Sequence, residues 1–267
     1  MPLQKIGVGL IPLAILGLTL FTIHLLPNPK KENSTKPTLI EVQGKTKVKY
    51  PQDFTIVLVG DSMTEYLGNS DELRTYLKNY YPDKTFEVLN YGFGSTNILS
   101  LQKRLEEKTF HGREFRPILD IDFDVLLIES FGHNPLSDFP LQEGLQKQTQ
   151  ALEKAVATIK KGGPRAKIIF VGTLGPNKKL YAYRAVDLSP EKRIQWANER
   201  IAYIKNHLDF AQKNQIPVIN VYEKSLDKNG DTKLEYISDT DHIHPSPNGI
   251  IFLSREMADF IFQNHLL

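Results

Sequence analysis

Three residues have the types and spacing that acyl transfer through a serine requires. Ser62 follows an apolar run in FTIVLVGDSM, and Asp241 and His244 lie three residues apart in SDTDHIHP. A serine hydroxyl is a weak nucleophile near neutral pH and needs an adjacent base, which His supplies best. That His in turn needs a carboxylate to fix its tautomer. We therefore expect Ser62 to act as nucleophile, His244 as base and Asp241 as the residue that orients the ring.

A tetrahedral intermediate also needs hydrogen-bond donors for its oxyanion. Glycines follow a second apolar run in NYGFGSTN, and Asn134 follows a third in ESFGHNP. The predicted donors are the backbone N–H groups of Ser62 and Gly94 and the side-chain amide of Asn134. Asp61 is expected to organise the turn before the nucleophile through hydrogen bonds to the backbone.

The segment around His244 permits other assignments. Asp239 and His242 have the same spacing as Asp241 and His244, but Pro245 follows His244 at the start of a predicted helix, which favours His244. The four side chains together are an alternative metal-binding set. The remaining histidines considered, His111, His133 and His207, have no partner visible in the sequence and are predicted to lie on the surface.

The elements that must position these residues alternate between strands and helices. Apolar strand-like runs occupy 54–59, 86–90, 124–129, 167–171 and 216–221. Helical patterns occupy 71–81, 97–107, 141–161, 190–213 and 247–264. Continuous apolar strands joined by helical crossovers indicate a parallel sheet buried on both faces. The sequence predicts a three-layer α/β/α sandwich of about five strands, flavodoxin-like, whose active groups lie at the carboxyl ends of the strands.

Several function classes are excluded or disfavoured by composition and motif. The chain of 267 residues has no Cys and a formal net charge of +2, so it offers no thiolate nucleophile and no basic stripe for nucleic acid. GFGSTN lacks the third glycine of a dinucleotide fingerprint, and GxxxxGK[ST] and G-x-S-x-G are absent. DKNGD at 227–231 lacks the glycine and glutamate of a calcium loop and is predicted to form an Asn-Gly turn.

The chain is predicted to have three parts. Residues 1–26 contain an uncharged apolar run, 6–26, long enough to cross a bilayer, and form a membrane anchor or a signal segment. Residues 27–50 are polar, rich in Lys and Pro, and are predicted to be a linker. Residues 51–267 form the catalytic domain. We expect a single-pass membrane protein with this domain outside the cytoplasm; secretion after signal cleavage is the alternative.

GDSMT, the glycines after strand two, GHN after strand three and DHIHP resemble the four sequence blocks of the SGNH (GDSL-type) hydrolases. The resemblance covers about 54–265. It implies Ser62 as nucleophile, Gly94 and Asn134 as oxyanion-hole residues with Ser62, and Asp241 and His244 as acid and base. Because the spacing of the second block departs from that of the family, Gly92 and Ser95 remain alternative donors. The resemblance implies no metal and no organic cofactor.

The functional expectation is a serine esterase that cleaves a short acyl ester, with O-acetyl groups on extracytoplasmic glycans as the substrate. An SGNH-type acyltransferase with a glycan acceptor is the alternative, and a non-catalytic cell-surface binding module is a third hypothesis. No substrate-binding residue is assigned. The long loop at 173–190, with Lys178, Lys179, Tyr181, Tyr183 and Arg184, either contacts a sugar or an anionic headgroup or is a solvated surface loop.

Overall fold

The computed structural model describes residues 36–163 and 165–267. The strands in this part of the chain are β1 (Thr38–Val42), β2 (Lys45–Lys49), β3 (Phe54–Gly60), β4 (Phe86–Gly92), β5 (Thr109–His111), β6 (Arg113–Phe115), β7 (Val125–Glu129), β8 (Lys167–Gly172) and β9 (Val218–Asn220). The α-helices are α1 (Ser62–Glu65), α2 (Asp71–Tyr80), α3 (Leu101–Glu106), α4 (Leu141–Gly162), α5 (Pro190–Lys213), α6 (Val221–Ser225) and α7 (Pro247–Gln263).

Five strands form one central parallel sheet in the order β4-β3-β7-β8-β9. Numbered along the chain, this is the order 2-1-3-4-5 of flavodoxin-like folds. The predicted α/β fold with a parallel sheet of about five strands is confirmed. Such a sheet changes direction between its first and third strands, and the segments after β3 and β7 therefore flank a crevice.

Both faces of the sheet are covered because side chains along each strand alternate between two cores. In β3, Val57 and Val59 pack into the core beneath α3, α4 and α5. Ile56 and Leu58 pack into the opposite core, beneath α2 and α7. Burial on both faces explains why the strands are apolar without interruption.

The predicted linker at 27–50 is wrong for its second half. Strands β1 and β2 pair antiparallel as a hairpin, with Leu39 opposite Val48. Val48 is buried and forms a parallel bridge with Ile121, so this hairpin packs against the domain. A second short hairpin, β5–β6, was also not predicted from the sequence. Polar, Lys-rich composition hid the first hairpin, since most of its residues are exposed and only Lys47 and Val48 are buried.

The predicted membrane segment at 1–26 lies outside the described residues. Within 36–163 and 165–267, no helix combines the length and the apolar character that crossing a membrane requires.

Candidate active site

Ser62 lies at the carboxyl edge of the sheet, on the first residue of the one-turn helix α1. Asp61 caps this helix, because its Oδ1 accepts the backbone N–H of Met63 at 2.9 Å. Asp61 therefore organises the turn, as predicted. The Ser62 N–H points out of the start of the helix and has no acceptor within the helix itself. Only 8% of Ser62 is exposed.

Helix α1 is held directly against the end of β4. Asn90 donates its side-chain amide to the carbonyl of Thr64 at 2.8 Å, and its Oδ1 accepts the Gly92 N–H at 2.8 Å. A Cβ built on Gly92 would lie 2.3 Å from the backbone nitrogen of Glu65. Position 92 therefore accepts only glycine if α1 is to keep its place, and that place sets the position of Ser62.

The three side chains predicted for acyl transfer are connected by hydrogen bonds. Ser62 Oγ lies 3.0 Å from His244 Nε2, and His244 Nδ1 lies 2.7 Å from Asp241 Oδ2. A carboxylate can only accept, so Nδ1 carries the proton and Nε2 is free to accept the Ser62 hydroxyl hydrogen. The arrangement has the connectivity of a Ser-His-Asp triad.

A tight turn presents Asp241 and His244 together. Asp241 Oδ1 accepts the backbone N–H groups of Ile243 at 2.8 Å and His244 at 3.0 Å. Burial raises the pKa of Asp241, but the hydrogen bonds from the His244 ring and the two backbone groups outweigh this and leave the pKa below its ordinary value. Asp241 is therefore ionised near neutral pH and offers the imidazole a carboxylate partner.

The alternative pair at this turn points elsewhere. His242 Nδ1 lies 3.2 Å from the carbonyl oxygen of Tyr183, and Asp239 is exposed. Of the two residue pairs with this spacing, Asp241 and His244 are the pair that meets Ser62.

Tyr66 covers the imidazole on one side. Its ring stacks on that of His244 with centroids 4.1 Å apart and an interplanar angle of 3°. Ser62, Glu65 and Tyr66 have the i, i+3, i+4 spacing of one helix face, which explains why all three border the same space. That spacing was a usable signal in the sequence, although no role for Glu65 or Tyr66 was predicted.

Of the predicted oxyanion donors, Gly94 is already engaged. Its N–H donates to Glu65 Oε2 at 2.9 Å. Gly94 nevertheless borders Ser62, since a Cβ built on it would lie 3.8 Å from Ser62 Cβ. Asn134 also lines the Ser62 cavity, and one amide hydrogen is donated to Asp61 Oδ2 at 3.1 Å. The second hydrogen of the Asn134 NH₂ group remains for a ligand.

The alternative donors differ from each other in where they lie. The Gly92 N–H is donated to Asn90, and Gly92 lines a neighbouring cavity that does not include Ser62. Ser95 lines the Ser62 cavity and has a backbone φ of 57°. Gly92 therefore serves packing, and Gly94 and Ser95 are the second-block residues that line the cavity with Ser62.

Buried ionisable side chains lie beneath Ser62. Glu129, at the end of β7, accepts the Asp61 N–H at 3.2 Å and the Ser130 hydroxyl at 2.6 Å. Burial, and then the charge of Asp61, raise the pKa of Glu129 well above its ordinary value. Arg104 donates to the carbonyls of Gly60 at 2.7 Å and Tyr91 at 2.8 Å, which fixes the ends of two strands.

Two of the histidines predicted to lie on the surface are buried, and that prediction is wrong for them. His133 donates Nε2–H to the Leu174 carbonyl at 2.9 Å, and burial lowers its pKa. His207 donates to the Ile128 carbonyl at 3.1 Å and stacks on Phe170. Burial lowers the pKa of His207 to about 3. His111 is exposed, as expected.

His133 ends a hydrogen-bond chain that enters the site from α5. Arg200 Nε donates to the Tyr181 hydroxyl at 3.2 Å, and this hydroxyl lies 3.4 Å from His133 Nδ1. All three residues line the Ser62 cavity. Because the ring is neutral with Nε2–H directed to Leu174, the Tyr181 hydroxyl is the donor to Nδ1.

The cavity at Ser62 has a volume of about 390 Å³. The loop 173–190 forms one wall through Tyr181, Ala182 and Val186, and Trp196 and Ile243 complete the apolar lining. Lys178 does not reach it, because its Nζ donates to the Gly230 carbonyl at 2.9 Å. Gly230 belongs to the predicted turn at 227–231, which the antiparallel bridge between Leu226 and Thr232 closes. The long loop therefore contributes aromatic and aliphatic groups to the cavity.

The acids and histidines around His244 were the alternative metal-binding set. In residues 36–163 and 165–267, no group of three or more His, Asp or Glu side chains is placed to hold a metal ion. The cluster considered from the sequence is divided, since Asp241 and His244 face Ser62 while His242 faces Tyr183.

The fold is shared with several solved structures. A lipase/acylhydrolase from Enterococcus faecalis has 17% identity and a TM-score of 0.55, and the match covers 79% of this chain and 96% of that one. The acetylxylan esterase Axe2 from Geobacillus stearothermophilus has 15% identity and a TM-score of 0.53, with coverage of 78% and 94%. A GDSL-like lipase from Bacteroides thetaiotaomicron has 13% identity and a TM-score of 0.52, with coverage of 79% and 88%.

Sequence comparison supplies the family. No curated protein matches the chain. The model of the GDSL-like Lipase/Acylhydrolase family matches residues 58–249, which include Ser62, Gly94, Asn134, Asp241 and His244. The match covers most of the chain and agrees with the resemblance found in the four sequence blocks. The chain belongs to the GDSL-like lipase/acylhydrolase family and is an ester-hydrolysing enzyme.

Proposed function

We propose that the chain is a serine esterase that removes short acyl groups, O-acetyl groups in particular, from a glycan. The observation that carries the proposal is the continuous line from Ser62 Oγ through His244 to Asp241, with contacts of 3.0 Å and 2.7 Å. The cavity of about 390 Å³ beside Ser62 is near the lower end of ligand-pocket volumes, about 300–1,000 Å³, which suits a small acyl group.

In the proposed reaction, Ser62 Oγ forms a bond to the ester carbonyl carbon while His244 Nε2 takes the hydroxyl proton. The resulting oxyanion accepts hydrogen bonds from the Ser62 N–H and the Asn134 amide. The Gly94 N–H becomes a third donor when the oxyanion replaces the Glu65 carboxylate. The bond to the alcohol then breaks, and the alcohol leaves with the proton held by His244.

Water completes the cycle. His244 removes a proton from water as its oxygen attacks the acyl carbon, and the Ser62 Oγ–carbon bond then breaks. The proton on His244 returns to Ser62, and a carboxylic acid is released. No metal or organic cofactor is required. Transfer of the acetyl group to a sugar hydroxyl, in place of release as acetate, would contradict the choice of water as acceptor.

Ser62-dependent chemistry is tested by labelling with a fluorophosphonate probe and by hydrolysis of p-nitrophenyl acetate. The wild type is expected to be labelled and active, whereas Ser62→Ala is expected to be neither. His244→Ala keeps the hydroxyl but loses its base, so its labelling is expected to be strongly slowed. Equal hydrolysis by wild type and Ser62→Ala would instead favour a non-catalytic binding module.

The proposed location is outside the cytoplasm, with residues 1–26 as a membrane anchor. The support is the uncharged apolar run at 6–26 and the polar stretch that follows it. Protease treatment of intact cells that display the full chain is expected to remove the catalytic domain. A domain that is protected until the cells are lysed would contradict this location.

A further inference from the structure

A second cavity, larger than the one at Ser62, opens beside the site. It has a volume of about 1030 Å³ and lies between the start of α4 and the outer side of α5. We name it the Trp196 groove, after the half-buried indole that lines both cavities. Arg200 is the other residue that both cavities share. Because these two side chains border both spaces, a ligand that contacts them from the groove lies next to the cavity that holds Ser62.

We propose that the Trp196 groove binds the carbohydrate portion of the substrate, which is the alcohol side of the ester, as a neutral oligosaccharide. This inference rests on the proposed esterase function. In the proposed arrangement the acyl group occupies the cavity at Ser62 and the alcohol extends past Trp196 into the groove. The combined space is far larger than an acetyl group needs, and a chain of several sugar units is a substrate that would use it.

The lining has the mixed character that sugar recognition requires. Trp196 offers a flat apolar surface for the C–H face of a pyranose ring, and exposed Leu141 and Ile194 extend it. Exposed Gln195 and Asn198 add amides that can both donate to and accept from hydroxyl groups. A lining that combines apolar side chains with these two amides fits a polyhydroxylated ring better than an alkyl chain. An alkyl chain would leave the amides without hydrogen-bond partners.

The charges of the groove favour a neutral ligand. Its lining includes two acids, Glu191 and Glu199, and two bases, Lys192 and Arg200, so the charges balance. Arg200 is already paired with Glu199 at 2.6 Å, and Lys192 donates to the Gln195 side chain at 3.1 Å. A phosphate or sulfate group would have to compete with these partners, whereas sugar hydroxyls need no net charge.

The position of Trp196 is set by its surroundings. It lies on α5 and packs against the buried cluster of Tyr181, Ala182 and Ala197, with Ile243 beside it. The guanidinium of Arg200 lies 4.9 Å from the indole centroid. Trp196 is therefore held by α5, the long loop and the turn that carries His244, and it borders the cavity at Ser62 as well as the groove.

The first test compares substrates that differ in how much of the groove they occupy. We would measure kcat/KM for O-acetylated xylotetraose, p-nitrophenyl acetate and p-nitrophenyl decanoate with wild type, Trp196→Ala, Gln195→Ala and the control Phe110→Ala. Phe110 is an aromatic residue that is 74% exposed and lines neither cavity.

We expect the ratio of kcat/KM for the tetrasaccharide to that for p-nitrophenyl acetate to fall about tenfold or more in Trp196→Ala, because a central Trp carries a large share of contact energy. Gln195→Ala, a change at an exposed amide, should lower the same ratio to a smaller extent. Phe110→Ala should keep all three values. A ratio that stays at the wild-type value in both groove variants would overturn the proposal, as would a loss confined to the decanoate, which would assign the groove to an acyl chain.

The second test does not depend on catalysis. Trp196 is the single Trp of the chain, so its fluorescence reports on the groove directly. We expect xylotetraose to cause a saturable change in the fluorescence of Ser62→Ala, and Gln195→Ala in the same background to shift the midpoint to higher concentration. No saturable change would overturn the sugar site, whether or not the esterase proposal holds. If xylotetraose binds saturably but the wild type shows no Ser62-dependent hydrolysis, the esterase proposal is refuted and the sugar site in the groove stands.

Discussion

Replacing Asp241 by Asn tests the triad at the atom that decides the tautomer of His244. The two oxygens of Asp241 have different partners: Oδ2 faces His244 Nδ1, and Oδ1 accepts the N–H groups of Ile243 and His244. In Asp241→Asn, the amide oxygen must stay with the two backbone donors. The NH₂ group then faces Nδ1 and donates to it, so Nε2 carries the ring proton and cannot accept the proton of Ser62.

The expected cost follows from that exchange of tautomers. Replacing the triad carboxylate by an amide lowers kcat about 10⁴-fold in serine hydrolases with this arrangement. At about 1.4 kcal/mol per tenfold, this is a rise of about 5.5 kcal/mol in the activation barrier. The free energy of unfolding should change by only about 1 kcal/mol, because both hydrogen bonds to the backbone are kept.

The assay is kcat for p-nitrophenyl acetate, with thermal unfolding measured on the same samples. Asp239→Asn is the matched control, since Asp239 is exposed, lies two residues away and has the same chemistry. It should keep wild-type kcat. A folded Asp241→Asn enzyme that loses less than about tenfold would refute the tautomer reasoning, because an orienting carboxylate is worth far more. An equal loss of kcat in Asp239→Asn would show that removing any nearby negative charge lowers the activity.

Three further outcomes are expected. Asn134→Ala removes a side-chain donor beside Ser62 and should lower kcat for p-nitrophenyl acetate by about 10²–10³, with little change in melting temperature; an unchanged kcat would exclude it from the oxyanion hole. Gly92→Ala should cost about 1–3 kcal/mol in urea unfolding, since its Cβ would lie 2.3 Å from the Glu65 nitrogen; wild-type stability would contradict the close packing of α1 on β4. Burial lowers the pKa of His207 in the folded protein to about 3, below its unfolded value. The stability that the neutral ring contributes is therefore full above about pH 6.5 and is lost as the pH falls, by about 2 kcal/mol between pH 7 and 5. The free energy of unfolding of His207→Gln should fall less over that interval, and parallel curves for the two proteins would contradict the burial argument.

Much of the fold was predictable because its signals are local in the chain. Continuous apolar runs mark strands buried on both faces, and the helical patterns between them require parallel crossovers. The predicted segments agree with β3, β4, β7, β8 and β9 to within a few residues. The hairpin β1–β2 was missed because most of it is exposed, and its two buried residues, Lys47 and Val48, contact Gly162 and Ile121, which lie far along the chain.

What the sequence by itself determined is the set of groups delivered to one edge of the sheet. Strand order and parallel direction bring the segments after β3, β4 and β7 together, and the three-residue spacing of Asp241 and His244 is a property of one turn. Only the tertiary structure decided which groups already have hydrogen-bond partners, which are buried and which line a cavity. Gly94 donates to Glu65, His133 is buried against Leu174, and Trp196 lines two cavities. These facts depend on distances between side chains from separate elements, and packing, which follows no period along the chain, sets those distances.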